Sequence, residues 1–242
     1  MLSKHNIIVL NLIKHSEKGL VVQCYSLQKG REALYFKAGG KNKQQSLLLH
    51  KLALLNCVIY TGTGSSMPTI KEIVTQHQLA DIRTNVYKGA ISMFLCELIM
   101  KTIKEEEPNE QLFNLISSSV KILDTIKEGA SNFHLYFMVN LCSALGFSPN
   151  LARKNSNDLF YIPSGSFEAY FKDNSQEKNW FTPNESSLMA LLLKSRASSI
   201  VNIKCSGTLR FEFSKKMIEY IAYHLGCDLD IKSLDVLHQV FS

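Results

Sequence analysis

Leu20-Val21-Val22-Gln23-Cys24-Tyr25-Ser26-Leu27, Gln28-Lys29-Gly30-Arg31 and Ala33-Leu34-Tyr35-Phe36 follow one another in the chain, and together they set the class of fold. The first run is apolar and β-branched, the middle segment is a turn whose glycine can take positive φ, and the last is a second apolar run, so the three read as a β-hairpin. Upstream, Asn6 to Ile13 has the same character. Downstream, Leu47 to Tyr60 is long and apolar and contains Asn56 and Cys57, with glycines ending the run. Residues 6 to 60 therefore read as β, and several short strands with tight turns in under eighty residues predict a small barrel.

Between two of these apolar runs lies Lys37-Ala38-Gly39-Gly40-Lys41-Asn42-Lys43-Gln44-Gln45-Ser46, with three lysines, two adjacent glycines and no acid. It is predicted as a mobile basic loop projecting from the β-scaffold. Lysines supply point charge to a phosphate backbone, and the amides of Gln44 and Gln45 can hydrogen-bond phosphate or sugar whatever the base. An ordinary solvated hairpin loop has the same composition, so these ten residues leave both readings open. The rest of the sequence favours the first. Residues 1 to 80 hold ten Lys/Arg against three Asp/Glu, while residues 81 to 242 hold seventeen against eighteen, so the whole excess of +6 belongs to the first third. Charge divided in this way points to an anionic partner for that part.

The period changes to that of a helix near Asp81. Ile91, Phe94, Leu95 and Leu98 form one apolar face of a helix predicted from about Ile82 to Glu105, and Glu105-Glu106-Glu107-Pro108 closes it and opens the next. Leu112, Leu115, Ile116 and Val120 continue until Gly129; Leu135, Met138, Val139 and Cys142 form another face, stopped by Gly146 and Pro149. Residues 150 to 181 lose the helical period and interleave Phe160, Tyr161, Phe167, Tyr170, Phe171, Trp180 and Phe181 with polar residues, as in an irregular hairpin packed on helices. Thr182-Pro183-Asn184-Glu185 is a capping box, and Ile218, Ile221, Ala222 and Leu225 mark a helix closed by Gly226. Residues 1–80 are thus expected as a barrel domain and 81–242 as an α-helical domain with an insertion at about 150–181.

Catalytic signatures are sparse. Gly40-Lys41-Asn42 has the Gly-Lys of a P-loop, but Asn42 stands where Ser/Thr is needed and Tyr35 where the upstream glycine belongs. The histidines are isolated in sequence, and the six cysteines include no C-x-x-C pair, which suits reduced thiols; Cys57, Cys96 and Cys142 lie among aliphatic residues as small core hydrophobes. No segment has the length and apolarity of a membrane span. No catalytic residue, cofactor or metal site is expected, and the protein is expected to be cytoplasmic.

The ordered features resemble the bacterial recombination mediator family RecO. The strand-turn-strand with Gly30-Arg31 and the loop Lys37 to Ser46 are similar to that family's oligonucleotide-binding (OB-fold) barrel and its K-G-A-R-like loop, with Gly39 and Lys41 in the glycine and arginine positions. Tyr223-His224-Leu225-Gly226, Lys232-Ser233 and Leu237 are similar to the closing Y-x-L-G…K-S…L pattern. The resemblance implies an α+β protein, an N-terminal OB-fold β-barrel followed by a C-terminal α-helical domain. It implies a non-catalytic mediator that binds single- and double-stranded DNA, anneals complementary strands and, with RecR, helps load RecA onto DNA covered by single-strand-binding protein. Two departures stand out. Some relatives hold a four-cysteine zinc cluster in the region matching 150–181, which here contains no cysteine, and Ser131-Asn132 stand where some relatives use arginines to hold the tail of single-strand-binding protein. The expected DNA-binding residues are Lys14, Lys18, Lys29, Arg31, Lys37, Lys41 and Lys43. The alternative is a protein-binding adaptor whose basic barrel binds RNA or an acidic protein.

Overall fold

The computed structural model describes residues 1–63, 67–153, 155–170 and 177–241, without the side chains of Lys41 and Glu177. Phe171 of the aromatic run and the Lys41 side chain among the expected contacts therefore lie outside the described residues. The chain divides into two compact units, Met1–Asp124 and Thr125–Ser242.

In the first unit, β1 (Leu2–Ser16), β2 (Gly19–Ser26), β3 (Gly30–Lys37), α1 (Lys43–Ser46), β4 (Leu54–Tyr60) and β5 (Thr69–Thr75) precede α2 (Ala80–Thr84), α3 (Val86–Thr102) and α4 (Glu110–Thr125). The strands close into a barrel of order β1-β2-β3-β5-β4. All neighbours are antiparallel except β3 and β5, which pair in parallel at Tyr35 with Thr69 and Phe36 with Ile70. This is the topology of an OB-fold. Alternation sends Ile7, Val9, Val22, Cys24, Leu34, Phe36, Leu55, Cys57, Ile59, Ile70 and Ile73 inward as one buried cluster.

The basic stretch departs from the expected mobile loop. Gly40–Asn42 forms a 3-10 turn that runs into α1, and backbone bonds continue through Leu47, Leu48 and Leu49. Leu49 is buried in the barrel cluster, with Ala38 and Leu48 packed against it. The stretch therefore plugs one end of the barrel with its apolar residues, and burying those leucines holds its backbone. Leu47 to Tyr60 is accordingly not one strand but a turn-rich segment, residues 47–53, that packs on the core, followed by β4. The predicted helix from Ile82 to Glu105 is likewise two helices. Asn85 separates them, its Oδ1 accepting from the backbone N–H groups of Tyr87 and Lys88 at 2.9 and 3.2 Å, as an N-cap does.

The β2–β3 turn is fixed by its glycine. Gly30 has φ of 70°, and a Cβ there would sit 2.3 Å from the carbonyl oxygen of Glu107. Arg31 N–H donates to Glu105 O at 3.1 Å, so the acidic run docks on the turn through its backbone. Lys88 of α3 is only 3 % exposed. Its ammonium donates to Asp81 Oδ2 at 3.1 Å and to Asp124 O at 2.7 Å, tying α2 and the end of α4 to α3.

The second unit contains α5 (Phe133–Ala144), β6 (Leu159–Tyr161), β7 (Ser166–Glu168), α6 (Pro183–Lys194), α7 (Gly207–Leu225) and α8 (Ser233–Val240). β6 and β7 form the short hairpin expected in the insertion. Its aromatic residues pack rather than project: Phe160 meets Phe167, Phe181 and Tyr220 at centroid distances of 5.3, 5.1 and 5.5 Å. The capping box forms, with Glu185 N–H donating to Thr182 Oγ1 at 3.3 Å and Thr182 N–H to Glu185 Oε2 at 2.7 Å. His134 is buried with its Nε2 3.2 Å from Ser214 Oγ, and burial, reinforced by Arg210, lowers its pKa to about 3.

Cys57, Cys96 and Cys142 are buried, and burial pushes the Cys57 and Cys96 thiols up to about 12. Among the described residues no helix is long and apolar enough to cross a membrane.

Replacing Lys88 by methionine removes the ammonium that donates to Asp124 O and to the half-buried Asp81 carboxylate. The expected loss is about 2 kcal/mol, measured by urea unfolding. His134 gives a pH signature. Its folded pKa of about 3 lies below the ordinary histidine value of 6.5, so the unfolded chain binds the extra proton. Stability is therefore lost as pH falls from about 6.5 towards 3. Urea midpoints followed through Trp180, the single tryptophan, should fall less steeply over that window in His134→Gln than in the unaltered chain.

Candidate nucleic-acid interface

The expected contacts divide between the two ends of the β2–β3 hairpin. Lys37 ends β3 and pairs with Gly19 at the start of β2, whereas Gly30 pairs with Ser26 at the other end. Six residues of strand put Lys37 about 20 Å from Arg31. Lys29 is exposed in the turn at that far end, its N–H donating to Ser26 Oγ.

Arg31 is committed within the unit. Its Nη1 donates to Met100 O at 2.9 Å and Ile103 O at 2.8 Å, closing the C-terminal end of α3 where helix carbonyls lack partners. Half-buried there, its pKa is lowered mainly by desolvation. A cleft of about 260 Å³ beside it is lined by Gln23, Arg31, Glu32, Ala33, Met100, Lys104 and Glu106. Its two cations face two carboxylates, and Glu32 also bonds His5 Nδ1 at 2.8 Å, so the cleft offers an anion no net charge.

At the near end the lysines come from two connections, β1–β2 and β3–β4. Lys18, exposed between β1 and β2, accepts the Ala38 N–H at its carbonyl at 2.8 Å. Its aliphatic stem lies along Gly39, where an added Cβ would be 2.9 Å from Lys18 Cδ. The bare glycine thus lets the β1–β2 turn press against the basic stretch. Lys37 and Lys43 are exposed on either side, and the backbone of Lys41 lies between them in the 3-10 turn. Asn42 Nδ2 donates to Lys37 O at 3.0 Å and holds the segment's curl. Gln44 is exposed, but Gln45 turns its Oε1 inward, where it has no hydrogen-bond partner. Lys14 is exposed near the same end on a different side: it pairs with Leu20, which packs on the barrel core as does Leu12. Alternation puts Lys14 on their side and Lys37 on the outer side with Tyr35.

Lysine counting alone misses the aromatic residues of this end. Tyr35 and His15 meet edge to face, with centroids 6.1 Å apart and planes at 86°. The sequence put Lys37 in the basic loop, whereas β3 runs on through it and gives it a period-two relation to Tyr35; the approach of His15 depends on an irregularity in β1 after Lys14. In OB-folds the β2–β3 face and the β1–β2 and β4–β5 loops are the surfaces that take oligonucleotides. Lys18, Tyr35 and Lys37 lie on them, and Tyr35 N–H donates to Pro68 O of the β4–β5 connection at 2.8 Å. Among the described residues no group of His, Cys, Asp and Glu could hold a metal ion.

A sequence model of the family described as recombination protein O C terminal matches residues 83–234. Over the full length, the chain is 29 % identical to the DNA repair protein RecO of Azobacteroides pseudotrichonymphae genomovar. CFP2, covering 100 % of both chains. It is likewise 29 % identical to the DNA repair protein RecO of Christiangramia forsetii and 28 % identical to that of Bacteroides fragilis, again covering 100 % of both chains.

Arg31→Met is expected to lower stability by about 2 kcal/mol through loss of two charge-assisted bonds. It should leave the salt dependence of any nucleic-acid binding unchanged, which titrations at several salt concentrations would check.

Proposed function

The chain belongs to the recombination protein O family, and from that premise we propose that it is a DNA-repair protein that holds DNA backbones on the Lys18–Lys37–Lys43 end of its barrel. The observation that carries this proposal is the packing of the Lys18 stem along Gly39. It joins lysines from two turns of the only net-positive third of the chain. The barrel domain, residues 1–80, supplies the basic surface in this proposal, with Lys14 at its margin and Lys41 within the same segment. Lys29 contributes at most a peripheral contact, and Arg31 acts inside the protein.

Single- and double-stranded DNA share the phosphate backbone, so a surface of lysines binds both with little regard to sequence. Two complementary strands repel each other. Neutralising phosphates on both lowers the barrier to their encounter, and base pairing supplies the driving force. In this scheme the protein accelerates annealing without covalent chemistry. With RecR it helps load RecA onto DNA covered by single-strand-binding protein, as the family resemblance implies.

The pair Lys37→Glu and Lys43→Glu should weaken binding of unrelated DNA sequences about tenfold or more. It should also reduce the slope of log affinity against log salt by about one per lost phosphate contact. Fluorescence anisotropy measures both, and unchanged affinity with unchanged slope would remove this surface as the site. Complementary oligonucleotides that anneal no faster with the protein than without it would instead favour an adaptor that binds RNA or an acidic protein.

A further inference from the structure

Beside the lysines, the outer face of β1–β3 carries rings that charge neutralisation does not require. Leu34 and Phe36 point into the barrel and are fully buried, so Tyr35 and Lys37 share the outer face about 7 Å apart. Tyr35 leans across β2. A Cβ on Gly19 would sit 2.7 Å from its Oη and 3.0 Å from its Cε2, so the ring lies over the bare glycine backbone. His15 meets that ring edge to face and is exposed, while Tyr35 is half-buried. Ile13 continues the same face at 44 % exposure, opposite Val21.

The barrel core does not use this pair: neither ring belongs to the buried cluster. What distinguishes the patch is an aromatic step with a lysine two residues along the same strand. Phosphates and bases alternate along a nucleic-acid strand, so a ring spaced a few ångströms from a cation matches that alternation. In a duplex each base face is already covered by its neighbours, and an aromatic side chain gains little. An unpaired base has a free π-face.

We propose that Tyr35 and His15 form a stacking site for an unpaired nucleobase, which makes the barrel discriminate single-stranded nucleic acid from duplex. This rests on the proposed DNA-binding function and adds to it: the lysines supply affinity for any backbone, and the rings supply preference for unstacked strands. During annealing, a base held on Tyr35 is kept out of intrastrand structure until its partner strand displaces it.

The test uses the full chain with three probes of equal length: an oligo-dT strand, the same strand with abasic residues replacing the bases, and a duplex. Tyr35→Leu combined with His15→Ala should weaken oligo-dT binding about tenfold. Duplex and abasic affinities should stay within about twofold and the salt slope should not change, because no phosphate contact is removed. Tyr35→Phe keeps the ring and should bind all three probes like the unaltered protein. Unchanged oligo-dT affinity, or equal losses on all three probes in the exposed single variant His15→Ala, overturns the stacking site while leaving the lysine surface intact. Failure of the unaltered protein to bind either oligo-dT or duplex overturns both proposals together.

Discussion

β1 is hydrogen-bonded along both edges, to β2 from Ile7 to Ser16 and to β4 from Leu2 to Ile8. Its 15 residues are long enough to serve two strands in succession, and Ile7 and Ile8 pair on both sides. Closure through β3, β5 and β4 follows, and a closed barrel leaves no long unpaired edge to recruit another chain. The same pairing sends alternate residues of all five strands into one cluster. The irregularity between Val9 and Asn11 bends β1 where it passes from one partner to the other.

The basic segment depends on that closure. Its lysines alone would leave an unsupported loop, but Leu48 and Leu49 have a barrel mouth to fill and so fold the preceding residues into a 3-10 turn and a helical turn. Apolar burial therefore orients a segment whose Lys37 and Lys43 side chains are exposed. The opposite end of the β2–β3 hairpin has a different use. There Arg31 donates to the backbone carbonyls of Glu105, Met100 and Ile103, so its positive charge completes a helix terminus. Two basic residues separated by one glycine can thus differ in kind, Lys29 facing solvent and Arg31 facing carbonyls.

Elements governed by local chemistry were legible. The Thr182–Glu185 box, the β2–Gly30–β3 hairpin and the helices around Phe94 and Met138 form where residue type and spacing put them, although both helices are buried on more than the one face expected. Other elements were not legible, for identifiable reasons. β5 carries Lys71 and Glu72 beside each other and so lacks an apolar run. Leu47 to Tyr60 merges a plug and a strand because three leucines suit either one. The helix predicted across Asn85 breaks there because an asparagine side chain can replace the backbone as acceptor.

For the candidate interface, the sequence by itself determined the concentration of positive charge in the first eighty residues, which is a matter of composition alone. That β3 runs on to Lys37, and so places Lys37 on one strand face with Tyr35, came from the fold. Only the tertiary structure decided that Lys18 lies along Gly39, that Arg31 turns to α3, that Lys14 and Lys37 face different sides, and that His15 reaches Tyr35. Each of these depends on the register between residues distant in the chain, and a slip of one residue carries every side chain of a strand to its opposite face.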